Sequence, residues 1–223
     1  MCAAESGPAA PMRRIAMLGG TFDPVHHGHL RSAVELCEML SLDQVHMIPS
    51  QLPPHREAPG VAATDRLAML AAGIDDTPGL RADDRELHRS GPSYSVDTLA
   101  SLREEFGERT RLVMALGVDA FLKLAEWHEP ERLFELSHLV VIARPGHAAL
   151  PGDALKALIK GREVESSESL FATPAGRLLH LRLPSSMDIS ATELRRRLQA
   201  GLSVRYLLPS AVETYIQSSG LYR

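Results

Sequence analysis

Strands and helices alternate along the chain, as judged from the spacing of its hydrophobic residues. Five short apolar runs predict strands at residues 14–18, 44–48, 111–116, 138–143 and 178–183. Four segments with apolar residues three and four positions apart predict helices at residues 30–40, 64–72, 95–106 and 151–160. Strands that alternate with helices are joined by crossover connections. This pattern favours a doubly wound α/β fold, in which a mostly parallel sheet carries helices on both faces.

The segments between these elements predict loops and the extent of the domain. Loops are expected at residues 51–60, 144–152 and 161–177, and Thr64 is expected to cap the second helix. No proline- or glycine-rich linker divides the chain, so we expect one domain over residues 13–223. Residues 1–12 are small, polar and proline-containing, and we expect them to form a disordered tail.

Composition and charge narrow the class of protein. Of the 223 residues, 44% are hydrophobic and 23% charged, as in a globular protein with its own core. A formal net charge of -4 gives no general reason to bind nucleic acid or an anionic membrane, so an anion site must be a local pocket. Cys2 and Cys37 form neither a metal-ligand spacing nor a disulfide framework. No apolar run is long enough for a membrane helix, and we expect a cytoplasmic protein.

The stretch "GGTFDPVHHGHL", directly after the first predicted strand, combines glycine, proline and histidine. It contains neither GxxxxGK[ST] nor GxGxxG, which excludes a P-loop and a dinucleotide fingerprint. Glycine lets the main chain approach a ligand, and the helix expected to open at His29 offers free N–H groups to an anion. His26 and His29 can donate hydrogen bonds to the same oxygens. A phosphate site is therefore favoured over a zinc site, which needs further ligands, or a purely structural turn.

A second candidate anion site lies near the end of the sequence, in "DISATELRRRL". Ser190 followed by Glu193 three residues later is the capping-box pattern, which predicts a helix beginning there. Its free N–H groups and one of the three following arginines could contact phosphate. We expect the region from about residue 186 to residue 223 to complete the site formed by the glycine-histidine stretch.

Six stretches, in order, resemble the nicotinate-nucleotide adenylyltransferase family of the HxGH nucleotidyltransferase superfamily. They are "GGTFDPVHHGH", "PPHR", "SGPSYSVDTL", "LGVDAFLKLAEWHEPERL", "VVIARPG" and "MDISATELRRRLQAGLSVRYLLPSAVETYI". Together they cover nearly the whole chain from Arg14 onward. The sequence departs from the family pattern at Ser95, where threonine is usual, and at Ala191, which replaces a serine.

The resemblance implies a Rossmann-like nucleotidyltransferase fold and transfer of the adenylyl group of ATP to nicotinate mononucleotide in NAD synthesis. A non-catalytic nucleotide-sensing module, or an adenylyltransferase with another phosphorylated acceptor, is the alternative. Mg²⁺ is expected with ATP, and no protein ligand is assigned to it. The sequence leaves open the preference for the acid over the amide mononucleotide, and the oligomeric state.

The family motifs also imply site residues at the matching positions. The catalytic residues would be His26, His29 and Arg195. The ATP site would comprise Gly19, Gly20, Thr21, Phe22, His26, His29, Ser190, Thr192 and Arg195. The mononucleotide site would comprise His55, Arg56, Thr98, Asp119, Trp127, His128 and Arg144, with Trp127 stacking on the pyridine ring. A core role is the alternative for Trp127, and Asp23 is expected to shape the turn at least as much as to bind a ligand.

Overall fold

In the described part of the chain, seven strands form one sheet, and all of them are parallel. The computed structural model describes residues 12–54, 60–143, 150–185 and 187–223. The strands are β1 (Arg14–Gly20), β2 (Gln44–Pro49), β3 (Leu80–Ala82), β4 (Arg111–Gly117), β5 (His138–Ala143), β6 (Glu163–Val164) and β7 (Leu178–Arg182). Their order across the sheet is β3-β2-β1-β4-β5-β7-β6. The predicted α/β fold with a parallel sheet is confirmed.

Helices connect the strands and cover the sheet. They are α1 (His27–Leu40), α2 (Ala63–Ile74), α3 (Ser95–Phe106), α4 (Val118–Phe121), α5 (Pro130–Leu136), α6 (Asp153–Ile159), α7 (Ser167–Phe171), α8 (Ala191–Gln199) and α9 (Ser210–Ser219). Two short 3₁₀ turns span Arg85–His88 and Leu124–Glu126. Within the described part of the chain, no helix has the length and apolarity needed to cross a membrane.

Several predicted boundaries differ from the structure. The expected loop over residues 161–177 is wrong, because β6 and α7 form there. Helix α1 begins at His27, with His26 as its N-cap, and not at His29, while α2 is preceded by Ala62 and not capped by Thr64. Strands β3 and β6 have three and two residues, too few for alternation to be read. The tail expected over residues 1–12 lies outside the described residues, apart from Met12.

Two hydrophobic cores lie on opposite faces of the sheet. Alternate residues of β4 divide between them: Val113 and Ala115 pack with α1, α2 and α9, whereas Leu112, Met114 and Leu116 pack with α3, α5 and α6. Both faces are therefore covered, which explains the nearly continuous apolar runs of the central strands.

The strand order reverses between β1 and β4, and their ends mark the region where ligands bind in open parallel sheets. Leu18 and Ala115 are the last residues paired between β1 and β4, and each strand continues for two more residues, to Gly20 and Gly117. We call the ends of β1, β2, β4 and β5 the carboxyl edge of the sheet.

Candidate active site

Two imidazole rings lie stacked at the N-terminus of α1. The ring centroids of His26 and His29 are 3.7 Å apart with an interplanar angle of 24°, and Phe22 contacts His29 edge-on at 5.1 Å. His26 is only 4% exposed. A Cβ atom at Gly28 would lie 3.0 Å from the His26 ring, so a side chain there would crowd the ring. The predicted histidine pair therefore sits at the positive end of a 14-residue helix.

Arg66, on α2, holds the loop between β1 and α1 in place. Its guanidinium donates to the carbonyl of Thr21 at 2.6 Å and to that of Ser50 at 2.7 Å, which ties the end of β1 to the end of β2. Arg66 is 1% exposed, and burial lowers its pKa. Sequence reasoning missed this residue. Its position three residues before Met69 and four before Leu70, on the apolar face of the helix, was the available signal.

Arg195 reaches the same loop from α8. Its Nη1 donates to the carbonyl oxygen of Asp23 at 2.7 Å and lies 3.8 Å from the Asp23 carboxylate, and its Nη2 donates to Thr192 Oγ1 at 3.3 Å. The Arg195 side chain is 35% exposed, so part of the guanidinium faces solvent beside the loop. The structure thus brings a predicted catalytic arginine to Asp23, 172 positions away along the chain, in the loop that leads into the histidines.

The predicted capping box at α8 is wrong. Ser190 occupies the N-cap position, but its side chain makes no capping hydrogen bond among the described residues. The Glu193 carboxylate instead accepts two hydrogen bonds of 2.7 Å from Arg196, the residue three positions on. That ion pair lowers the pKa of Glu193 and leaves the carboxylate unavailable to the helix start.

Thr98, predicted to contact the mononucleotide, is fully buried within the packing of α3. Its hydroxyl donates to Glu86 Oε1 at 2.6 Å and accepts from Arg89 Nη2 at 2.9 Å. Burial raises the pKa of Glu86, which lies on the 3₁₀ turn before α3. The structure therefore places Thr98 in a buried polar cluster that supports the start of α3.

Aromatic residues gather beside the start of α3. The rings of Tyr94, directly before α3, and His128 are stacked with centroids 4.3 Å apart. Trp127 is half-buried against the core on this face, and Asp119 is exposed in the first turn of α4, directly after β4. Trp127, His128 and Asp119 thus follow β4 at the carboxyl edge. Tyr94 was missed, although an aromatic residue immediately before a predicted helix was visible in the sequence.

Three predicted mononucleotide residues, His55, Arg56 and Arg144, lie outside the described residues. Among the residues that are described, no group of three or more histidine, cysteine, aspartate or glutamate side chains is placed to hold a metal ion.

Comparison with known proteins gives matches over most of the chain. The sequence model of the family described as "Cytidylyltransferase-like" matches residues 17–197. A protein of Chromohalobacter salexigens named "Probable nicotinate-nucleotide adenylyltransferase" is 64% identical over 222 residues, covering 100% of both chains. A protein of the same name from Pseudomonas syringae pv. tomato is 46% identical over 95% of this chain and 94% of its own.

Solved structures share the fold. Plasmodium falciparum nicotinic acid mononucleotide adenylyltransferase complexed with NaAD has a TM-score of 0.71 at 19% identity, covering 94% of this chain and 97% of that chain. Its complex with APC has a TM-score of 0.69 at 18% identity over the same shares. The family assignment therefore rests on the sequence matches. The chain belongs to the cytidylyltransferase-like family and, within it, to the nicotinate-nucleotide adenylyltransferases.

Proposed function

We propose that the protein transfers the adenylyl group of ATP to the 5′-phosphate of nicotinate mononucleotide. The products are nicotinate adenine dinucleotide and pyrophosphate, and the reaction belongs to NAD synthesis. The observation that carries the proposal is the stacked pair of His26 and His29 at the N-terminus of α1, with Arg195 bonded to the loop that leads into that helix. A relative that is 64% identical carries the name "Probable nicotinate-nucleotide adenylyltransferase".

The chemistry asks for positioning and charge stabilisation. An oxygen of the mononucleotide phosphate, already ionised, attacks the α-phosphorus of ATP, and the bond to the pyrophosphate oxygen breaks. No side chain has to act as nucleophile or general base, and no covalent enzyme intermediate forms. His26, His29 and Arg195 would donate hydrogen bonds to the phosphate oxygens as negative charge shifts to the leaving group. The fixed stack of the two imidazoles keeps these donors oriented before the reaction.

The proposed ATP site lies along the loop and α8. Main-chain groups of Gly19, Gly20, Thr21 and Phe22 would line the phosphates. A Cβ atom at Gly20 would lie 3.1 Å from the Phe22 ring, so a side chain there would crowd the loop. Ser190 and Thr192, at the start of α8, would complete the site. In this proposal residues 13–223 act as one domain, with the region from about residue 186 supplying Arg195.

The acceptor would lie beside β4 and α3. Trp127 would stack on the pyridine ring, with the His128 backbone at its carboxylate and Asp119 at the ribose or an adjoining loop. From the sequence alone, His55 and Arg56 are proposed as contacts to the mononucleotide phosphate, and Arg144 as a contact to phosphate or on the adenine side. Thr98 is fully buried and bonded to Glu86, so it would affect the acceptor indirectly, by supporting the start of α3.

Mg²⁺ is proposed as the cofactor that accompanies ATP, and it would neutralise charge on the triphosphate. The side chains gathered at the loop include imidazoles and a guanidinium, which suit phosphate oxygens and not a hard cation, and the Asp23 carboxylate beside them already accepts a hydrogen bond from Tyr222. The ion would therefore enter on the nucleotide. We also propose a cytoplasmic location, where both substrates are metabolites.

A turnover assay tests the proposal. Purified protein, ATP and Mg²⁺ are combined with nicotinate mononucleotide, nicotinamide mononucleotide or phosphopantetheine, and pyrophosphate release is followed. We expect release with a pyridine mononucleotide, and the ratio of the two rates fixes the preference for acid or amide. Release with phosphopantetheine alone would assign another acceptor, and release with none would favour a nucleotide sensor.

A further inference from the structure

Beyond α9 the chain turns back to the loop between β1 and α1 (residues 21–26), which we call the phosphate loop because we place the phosphates of ATP there. Gly220 ends α9 in the left-handed conformation, and Tyr222 follows with a φ of 61°. The Tyr222 hydroxyl donates to Asp23 Oδ1 at 2.5 Å, across 199 positions of sequence. Burial, reinforced by the Asp23 carboxylate, raises the pKa of Tyr222 well above its usual value, so the hydroxyl keeps its proton and remains a donor.

Asp23 is an anion in a loop where we place the phosphates of ATP. It is 7% exposed, and its Oδ2 lies 3.8 Å from Arg195 Nη1. The same Nη1 donates to the main-chain carbonyl of Asp23 at 2.7 Å. A carboxylate so close to Arg195 competes with phosphate for the guanidinium, because both are oxygen anions that arginine binds strongly.

We propose that Tyr222 is a positioning residue for ATP: its hydroxyl holds the Asp23 carboxylate so that Arg195 is left for the triphosphate. The role assigned to Arg195 rests on the proposed function. Tyr222 donates a short hydrogen bond to Asp23 Oδ1, and Arg195 stays at the loop through its hydrogen bond to the main-chain carbonyl of Asp23. Without the hydroxyl, the buried carboxylate lacks that donor and draws Arg195 toward itself, since an unpaired buried charge is costly.

Tyr215 offers a matched control. It lies on α9, and its hydroxyl donates to Asp65 Oδ1 on α2 at 2.9 Å. Both tyrosines therefore bond an aspartate far away in sequence, but the Tyr215 contact fastens α9 to α2 and involves no residue of the phosphate loop. The Tyr215→Phe variant loses the same chemical group without the proposed role.

The experiment measures binding of a non-hydrolysable ATP analogue with Mg²⁺ by calorimetry, with steady-state kinetics and the Tm alongside. We expect Tyr222→Phe to weaken analogue binding and raise the KM for ATP about 10-fold, with the KM for nicotinate mononucleotide unchanged. Tyr215→Phe should bind the analogue like the original protein. Adding Asp23→Asn to Tyr222→Phe should bring binding within about twofold of Asp23→Asn alone, because no carboxylate then competes for Arg195.

Other results would overturn the proposal. Equal binding by Tyr222→Phe and Tyr215→Phe would leave the hydroxyl no part in ATP binding. A loss that Asp23→Asn does not relieve would show that it does not act through the carboxylate. Failure of Tyr222→Phe to fold, with Tyr215→Phe intact, would assign a structural role. Because analogue binding needs no acceptor, a protein that binds ATP but releases no pyrophosphate with nicotinate mononucleotide would refute the proposed function alone.

Discussion

The amino edge of the sheet, where β1, β4 and β5 begin, holds the same kinds of polar side chain as the carboxyl edge, in different surroundings. At the amino edge, buried side chains are bonded to main-chain atoms. His138 donates from Nε2 to the carbonyl of Thr173 at 3.0 Å, and its Nδ1 accepts from the N–H of Arg177 at 3.3 Å. Arg103 donates from Nη1 to the carbonyls of Gly107, Glu108 and Thr110 and from Nη2 to the carbonyl of Leu136.

At the carboxyl edge, comparable side chains surround a glycine-containing loop and a helix N-terminus. Arg195 is one third exposed and bonds the loop through a single main-chain carbonyl, whereas Arg103 is buried and bonds four. Residue type alone therefore does not mark function in this fold. What separates Arg103 from Arg195 is whether the side chain closes the backbone around it, as Arg66 also does at the carboxyl edge, or faces space that a ligand could occupy.

The comparison predicts that variants of the side chains assigned to phosphate at the carboxyl edge change kinetics, whereas variants of the side chains that close the backbone at the amino edge change stability. The largest effect is expected for His29→Ala. It should lower kcat by about 10²- to 10³-fold, with little change in the KM for nicotinate mononucleotide, because a donor to the transition state is lost. Pyrophosphate release under saturating ATP measures it. His27→Ala, one helix position past the N-cap, is the control and should stay within about twofold. A raised KM with kcat intact would make His29 a binder of the ground state only.

Arg103→Ala should have the next largest effect. In contrast to His29→Ala, it should lower the stability of the protein and leave its kinetics unchanged. Removing the buried guanidinium takes away the donors to the carbonyls of Thr110, which is buried, and Leu136, which is half-buried, so the free energy of unfolding should fall by about 2–3 kcal/mol. Urea denaturation measures this loss, and the exposed neighbour Arg109→Ala is the control. The KM and kcat of the folded protein should not change. A selective loss of ATP binding in Arg103→Ala would contradict the prediction that side chains at the amino edge contribute to stability and not to ligand binding.

His138 should make the stability of the amino edge depend on pH. Burial lowers its pKa to about 4, against the opposing hydrogen bond to Thr173. The folded state therefore favours neutral histidine, and its contribution is complete above the unfolded pKa of about 6.5 and is lost as pH falls toward 4. Between pH 8 and pH 5 the loss should be about 2 kcal/mol.

Denaturation of the original protein and His138→Gln at a series of pH values measures that loss. Glutamine can accept from Arg177 and donate to Thr173 without titrating, so the curve of His138→Gln should be flatter across this range. His180→Gln, at an exposed histidine on β7, is the control. Parallel curves for His138→Gln and the original protein would contradict the assignment.

Local patterns in the sequence predicted much of the fold. The runs that became β1, β2, β4, β5 and β7 are long enough for burial on both faces to leave a continuous apolar signal. Strand β6, with two residues, leaves none. The predicted capping box does not form because the Glu193 carboxylate accepts hydrogen bonds from Arg196 instead of from the helix N-terminus. Residue spacing alone does not show which of these partners the carboxylate takes.

The site was predictable where its residues are close in sequence, and not where they are joined by the fold. His26 and His29 share one stretch and lie together as expected. Arg66 and Tyr222 were missed, because their partners in the loop lie 45 and 199 positions away and no local pattern records such a pairing. Thr98 was assigned to the mononucleotide by family resemblance, and only the structure revealed its buried bond to Glu86.

The smallest effect is expected at Trp127. This residue tests whether variants beside the acceptor change kinetics, as variants beside the phosphates are expected to do. Trp127→Ala should raise the KM for nicotinate mononucleotide about 10-fold with kcat nearly unchanged, because ring stacking stabilises ground state and transition state alike. Trp127→Phe keeps an aromatic face and should recover most of the loss. Trp127 is also half-buried against the core beside α3, so the Tm decides between the two roles. A large fall in the Tm of Trp127→Ala, with the KM of the folded protein unchanged, would make Trp127 a core residue and confine the kinetic role of this edge to its phosphate side.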